Sequence, residues 1–240
     1  MKVFVVSLKR SVDRRERIQT HLDALDISFE FFDAIDGSVE DFQYSDHARP
    51  LTTKKHKGYT LKANEVACFA SHYGLWKKSI ELNESIVIIE DNVDPISKAK
   101  ELIELSFQYI NKYGYIKLSA TQKSQFTNIV NLTPEFQLGG YERKTCGTTA
   151  YIVSPKVAQR FVDNAHEFLE PVDDYMEKPW RHQVQTYSVS PDLFTRADIS
   201  STIGSTRKNK NGISLFNKAY IELFRTYESL MKSLHWKNKE

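Results

Sequence analysis

Ser85-Ile86-Val87-Ile88-Ile89-Glu90-Asp91-Asn92 joins four consecutive β-branched residues to two acids and an amide. A short, wholly apolar run of this kind predicts a strand buried on both faces, as in the centre of a parallel sheet. In open α/β sheets the carboxyl ends of the strands face the ligand crevice. Glu90, Asp91 and Asn92 would therefore present oxygens to a hard cation and, through it, to phosphate. A strand that simply meets water at Glu-Asp-Asn satisfies the same pattern, so the neighbouring segments decide between the two.

Outward from this strand the chain alternates strand and helix. Lys2 to Leu8 predicts a strand, and Asp13 to Leu25 a helix with Ile18, Leu22 and Leu25 on one face and Ser11 as its cap. Ser28 to Ala34 predicts a second strand that ends at the turn signal Asp36-Gly37, completing a βαβ unit. Residues 38 to 60 are polar and irregular, with His47 and the basic run Lys54 to Lys57, a long loop of the kind that is either a functional lid or disordered. Asn64 to Ile80 places Val66, Phe69, Tyr73, Trp76 and Ile80 at helical intervals, and it feeds the opening strand.

Beyond that strand the pattern predicts a helix over Ser97 to Tyr109 and a strand over Tyr115 to Leu118, then a poorly patterned stretch through Gly139-Gly140. A strand at Thr149 to Val153 leads into a helix that Ser154-Pro155 opens and that runs to about His166. A short strand lies around Thr186 to Val189, and Arg196 to Gly212 is polar. Ile213 to Trp236 predicts an amphipathic helix of about six turns. The organisation is one α/β domain over residues 1–205, followed by a basic linker and a C-terminal helix over 206–240.

A length of 240 residues with 40% hydrophobic, 27% charged and 12% aromatic residues describes a globular chain with a substantial core. The net charge of +2 is too small to imply a nucleic-acid partner. Cys68 and Cys146 match no metal or redox spacing and predict a reduced, cytosolic setting. No stretch is apolar for long enough to span a bilayer.

Two acidic clusters invite chemistry, Glu90-Asp91-Asn92 with Asp94, and Glu170 with Asp173-Asp174. Adjacent carboxylates repel, so a pair at the end of a buried strand calls for a compensating cation. Ser7, Arg10, Arg14 and Arg15 surround the first strand-to-helix turn, where free N–H groups and arginines suit an anion such as a pyrophosphate. The alternative for Arg14 and Arg15 is a solvated helix face. Ser71-His72 is a poor nucleophile pair, because adjacent helical residues diverge by about 100°.

In order along the chain, several segments resemble glycosyltransferase family 25, the bacterial lipooligosaccharide enzymes related to collagen galactosyltransferases. They are Val5 to Ser11 with Asp13-Arg14-Arg15-Glu16, Phe31 to Gly37, Leu61 to His72, Ile88 to Val93, Gly147 to Ser154 and Pro171 to Asp174. The resemblance covers residues 2 to about 205. It implies a GT-A type (Rossmann-like) α/β fold, a mixed sheet flanked by helices, here with the C-terminal amphipathic helix added. It implies a UDP-sugar donor, UDP-galactose or UDP-glucose, a lipooligosaccharide or LPS acceptor, and inversion at the anomeric carbon in a bacterial cytoplasm.

By the same resemblance, Ser7, Leu8, Arg10 and Arg15 lie near the nucleotide, Asp33, Ala34, Asp36 and Gly37 close the uridine pocket, and Glu90 and Asp91 meet the donor. Mn²⁺ or Mg²⁺ would sit on Asp91, Asn92 and Asp94, and Asp173 or Asp174 is the candidate catalytic base. Asn92 stands where the family usually has a second aspartate, and its amide oxygen brings no charge, so metal affinity is expected to fall. A nucleotidyltransferase is disfavoured by the missing Gly-rich loop after the first strand. A non-catalytic nucleotide-sugar or glycan-binding relative is the other alternative. The C-terminal helix suits peripheral contact with an anionic inner membrane, or packing on the domain or on a second subunit as a homodimer.

Overall fold

The structure, a computed structural model, describes residues 1–199 and 214–237. β1 (Lys2–Ser7), α1 (Val12–Asp23) and β2 (Glu30–Asp33) form the predicted βαβ unit, with β1 and β2 parallel. A 3₁₀ turn at Ser45–His47 and α2 (Pro50–Lys57) precede α3 (Ala63–Leu82), which leads into β3 (Ile86–Glu90). Then follow β4 (Val93–Pro95), α4 (Ala99–Phe107), α5 (Ile110–Tyr113), β5 (Tyr115–Lys117), β6 (Phe126–Asn131), β7 (Gln137–Tyr141) and β8 (Ala150–Val153). The chain continues through α6 (Pro155–Asp163), α7 (Val172–Met176), α8 (Pro179–His182), β9 (Tyr187–Ser190), β10 (Phe194–Arg196) and α9 (Leu215–Lys237).

The main sheet runs β2-β1-β3-β8-β5-β9-β7-β6. β3 is parallel to β1 but antiparallel to β8, so the opening strand is central in a mixed sheet rather than in a purely parallel one. It is buried on both faces: Ile86, Val87, Ile88 and Ile89 are all fully enclosed. Alternation along the strands sorts the core into two layers. Phe4, Val6, Ile86 and Ile88 pack with Phe69, Trp76 and Phe161 of α3 and α6, while Val3, Val5, Val87 and Ile89 pack with Ile18, Leu22, Leu102 and Ile103 of α1 and α4.

Three expectations change. The loop over 38–60 contains α2, a helix with little apolar periodicity that begins at Pro50 and stops at Gly58, a left-handed C-cap with φ of 79°. The unpatterned stretch before Gly139-Gly140 contains the β6–β7 hairpin, whose outer strand is largely exposed and carries no clean alternation. Gly139 is required there, because a Cβ would lie 2.0 Å from the Thr127 carbonyl oxygen. Ser11 precedes α1 through its carbonyl, which accepts from Arg15 N–H at 3.0 Å, and its hydroxyl makes no cap bond. The basic residues Arg207 to Lys210 of the expected linker lie outside the described residues.

Among the described residues no helix is long and apolar enough to cross a membrane. Ile88→Ala should destabilise the fold by about 2–5 kcal/mol, since it empties a site enclosed on both faces of the sheet; urea unfolding measures it, and a loss below about 1 kcal/mol would contradict the central placement of β3.

Candidate functional site

A cavity of about 380 Å³ opens along the carboxyl ends of β1, β2 and β3. Register explains the convergence. Ser7 pairs with Asp33, Val6 with Glu90, and Ile89 with Ala150, so the ends of three parallel strands meet the start of antiparallel β8 at one edge. Ser7, Leu8 and Arg10 at the end of β1, Ala34, Asp36 and Gly37 after β2, and Glu90, Asp91 and Asn92 at the end of β3 all line it. A Cβ at Gly37 would come within 2.7 Å of the Ala63 backbone, so only glycine lets this loop press against the start of α3.

Asp91 is the hub of the β1–β3 side of the cavity. Ser7 Oγ donates to its Oδ2 at 2.6 Å, and Arg14 Nη1 donates to Oδ1 at 3.2 Å. Arg14, not Arg15, thus faces the cavity; the two differ by about 100° round α1. Arg15 donates to the Ser7 carbonyl at 2.8 Å and to Asp33 at 2.5 Å, and both Arg15 and Asp33 lie outside the cavity lining. Arg10 pairs with Asp36, whose carboxyl is held below the usual aspartate value by the Ser38 backbone N–H against the opposing effect of burial, with help from the Ser38 hydroxyl and Arg10.

Glu90 is held differently. Its backbone N–H donates to the Thr149 carbonyl at 2.8 Å, the Thr148 hydroxyl donates to its Oε1, and His72 Nε2 lies 3.7 Å away. Burial pushes the Glu90 carboxyl up, but His72, Thr148 and Arg196 outweigh it and leave it below the ordinary glutamate value. Behind His72, Nδ1 is 2.9 Å from the Tyr151 hydroxyl, which accepts from Trp76 Nε1 at 3.0 Å. His72 thus has one ring nitrogen toward Tyr151 and the other toward Glu90. Ser71 is structural: its hydroxyl donates to the Ala67 carbonyl and accepts from Ile35 N–H.

The second acidic cluster divides. Asp173 lines the cavity and accepts from Gly147 N–H at 3.2 Å and Asp174 N–H at 3.0 Å. Gly147 has φ of 71°, and this left-handed turn aims its N–H at Asp173. Asp174 is outside the lining, enclosed by Lys144 at 3.3 Å, Lys57 at 3.4 Å and Lys178 at 3.9 Å. Burial alone would raise its pKa, and the three ammonium groups instead hold it at about 2. Lys57 and Lys178 also reach Glu170 and, on α9, Glu228, so the cluster fastens the C-terminal helix to the domain.

The three oxygens expected to hold a metal do not all converge. Asp94 pairs with Arg17 and His21 outside the cavity lining. Asp91 and Asn92 both line it, and Asn92 Oδ1 is buried with no hydrogen-bond partner among the described residues. Two such oxygens suffice for Mg²⁺ or Mn²⁺ when substrate phosphates and water complete the shell. Arg15, expected near the nucleotide, is outside the lining and the adjacent Arg14 is in it, because two neighbouring arginines carry no signal of helix phase. Arg196 also lines the cavity and carries no sequence signal, because β4 and β10, which place it, are too short to show a pattern.

A family model described as "Glycosyltransferase family 25 (LPS biosynthesis protein)" matches residues 1–176. The lipooligosaccharide biosynthesis protein lic2B of Haemophilus influenzae is 34% identical over 215 residues, which are 79% of this chain and 74% of that protein. Human procollagen galactosyltransferase 2 is 26% identical, across 78% of this chain and 31% of its own length. A bovine protein named probable inactive glycosyltransferase 25 family member 3 is 29% identical, across 80% and 36% respectively. The chain thus spans about a third of these two animal relatives.

The Asp174 carboxyl sits below its unfolded value of 3.8, so its stabilisation is complete above about pH 4 and is lost as pH falls through about 2. Asp174→Asn should therefore cost about 2 kcal/mol at pH 7, with the gap to wild type narrowing between pH 4 and pH 2.5 in equilibrium unfolding. A gap independent of pH would remove the ion cluster as its cause.

Proposed function

Because the chain belongs to glycosyltransferase family 25, we propose that it moves a hexose, galactose or glucose, from a UDP-sugar to a lipooligosaccharide core acceptor, with inversion. The observation that carries this reading is the meeting, in one cavity, of Arg10, Arg14 and the Ser7–Asp91 pair on the β1–β3 side with Asp173 on the β8 side. The volume suits a small ligand of the nucleotide-sugar class. The names of lic2B and procollagen galactosyltransferase 2 support the acceptor class and the sugar.

Arg14 and Arg10 meet the diphosphate, and the Gly37 turn brings the loop after β2 over the nucleoside. Arg196, which also lines the cavity, adds a cation near the leaving group. Asp91 and Asn92 would hold a Mn²⁺ or Mg²⁺ ion, which supplies counter-charge to the departing nucleoside diphosphate. An acceptor hydroxyl has a pKa far above 7, so attack needs a carboxylate base. Asp173 takes that role: it faces the cavity, and its two backbone N–H partners fix its direction. Asp174 does not, because its charge is committed to three lysines. Glu90, oriented by Thr148 and His72, sits between the two sides and contacts the donor sugar.

A non-catalytic nucleotide-sugar binder is the second reading, favoured by Asn92 and by the inactive relative. UDP release from UDP-galactose and UDP-glucose, with Mn²⁺ or with EDTA, separates the two. Release from at least one donor is expected; donor binding without any release would favour the binder.

Asp173→Asn should lower kcat by about 10²–10⁴ with donor KM little changed. Asn92→Asp, which adds a charge to the metal ligands, should lower the Mn²⁺ concentration that gives half-maximal rate. A Mn²⁺ response identical to wild type would remove Asn92 from the metal site.

A further inference from the structure

The transfer chemistry leaves one buried cation without a role. Lys117, the last residue of β5, is 1% exposed. Side chains alternate across a strand, so Lys117 falls on the same face as Tyr115, which packs with α3 and α6, while Ile116 joins the opposite layer. On that face its ammonium donates to Glu177 Oε1 at 3.2 Å and to the Cys146 carbonyl. Glu177 follows α7 as its C-cap and also accepts from the Thr145 hydroxyl at 2.5 Å. A buried lysine–glutamate pair commonly holds a fold no better than two apolar side chains of similar volume, so packing does not account for it.

The Cys146 carbonyl and the Gly147 N–H belong to one peptide unit. That unit is trans and planar, so the two groups point in opposite directions. On one side it accepts from Lys117, and on the other it donates to Asp173 Oδ2 at 3.2 Å. Asp173 and Glu177 lie four residues apart, on one face of α7, and each holds the turn over residues 145–147. Cys146 and Gly147 both have positive φ, 50° and 71°. This backbone is uncommon for a residue with a Cβ, such as Cys146, and persists where the surroundings dictate it.

We propose that Lys117 is a positioning residue for transfer: its ammonium fixes and polarises the Cys146–Gly147 peptide, which in turn aims the Asp173 carboxylate into the cavity. The proposal rests on the reading of Asp173 as the base. A cation on the carbonyl draws electron density from the N–H, and hydrogen bonds in series strengthen one another. Lys117 lies outside the cavity lining, so it touches no bound substrate and acts on the reaction through this peptide. Asp173 is held by a neutral donor rather than by the cation itself, and stays able to take a proton from the acceptor. Asp174, ringed by three ammonium groups, shows the other outcome.

Two-dimensional ¹H–¹⁵N NMR of the full chain reads the hold on Asp173 without turnover, and steady-state kinetics read its effect. Lys117→Met/Glu177→Gln removes the ammonium without leaving a buried carboxylate alone, and the new amide can still accept from Thr145. In this variant the Gly147 amide proton should move upfield, and kcat should fall by about 10–100-fold with donor KM within about threefold of wild type.

A Gly147 amide that stays at its wild-type position overturns the proposal and leaves the base reading intact. An amide that shifts while kcat does not also overturns it; if Asp173→Asn spares kcat as well, the base reading falls with it. Should the double variant fail to fold, the wild type decides alone. Its Lys117 Nζ should resonate as an ammonium at pH 7, coupled across the hydrogen bond to the Cys146 carbonyl carbon. A neutral amine, or the absence of that coupling, overturns the proposal.

Discussion

The carboxylate of Asp91 is the constraint on which the site depends. A strand buried on both faces delivers it to the cavity edge, where it would be costly if left alone. Ser7 from the end of β1 and Arg14 from α1 supply its partners. One acid thereby ties together two strands and the helix that follows the first, and it holds a guanidinium at the cavity where an anion would bind. Neither the arginine nor the serine is placed by loop chemistry of its own; both follow from the parallel pairing of β1 with β3.

The same logic extends across the sheet. Antiparallel β8 starts where β3 ends, so Thr148 and Thr149 reach Glu90, and the turn at Gly147 reaches Asp173. Beyond Asp173 the adjacent Asp174 turns away into a cluster of lysines and glutamates that also grips α9. Two neighbouring carboxylates therefore do different things. One is aimed by backbone N–H groups into the cavity, and the other is neutralised by side chains beneath the tail of the protein.

Elements with strong apolar periodicity are legible in the sequence: β1, α1, α3, β3, β8, α6 and α9 all fall within a few residues of their predicted spans. What escapes is polar or short. α2 carries its start and stop signals, Pro50 and Gly58, but buries only Thr53, so no stripe marks it. β6 is mostly exposed, and β4 and β10 span three residues each.

The site follows the same rule. Residues at the ends of legible strands, Ser7, Asp36, Glu90 and Asp91, are predicted and line the cavity. Arg196 depends on short pairing that no pattern reveals, and the split between Arg14 and Arg15 is a matter of helix phase. Asp94 follows Asp91 and Asn92 in sequence yet lies outside the cavity lining, because β4, which contains it, turns it toward Arg17.

The strand order has a consequence for how the chain is assembled. β9 lies between β5 and β7, and among the described residues the β7–β6 hairpin joins the sheet only through it. A nascent chain that has not yet extended past residue 190 therefore holds an unpaired edge at β5 and a detached hairpin, both with free backbone groups able to recruit other chains. Closure waits on a late strand, well after the cavity-bearing β1, β2 and β3 have been made. For this topology, the interval between making the cavity-bearing half and sealing the sheet is when the protein is most open to misassembly.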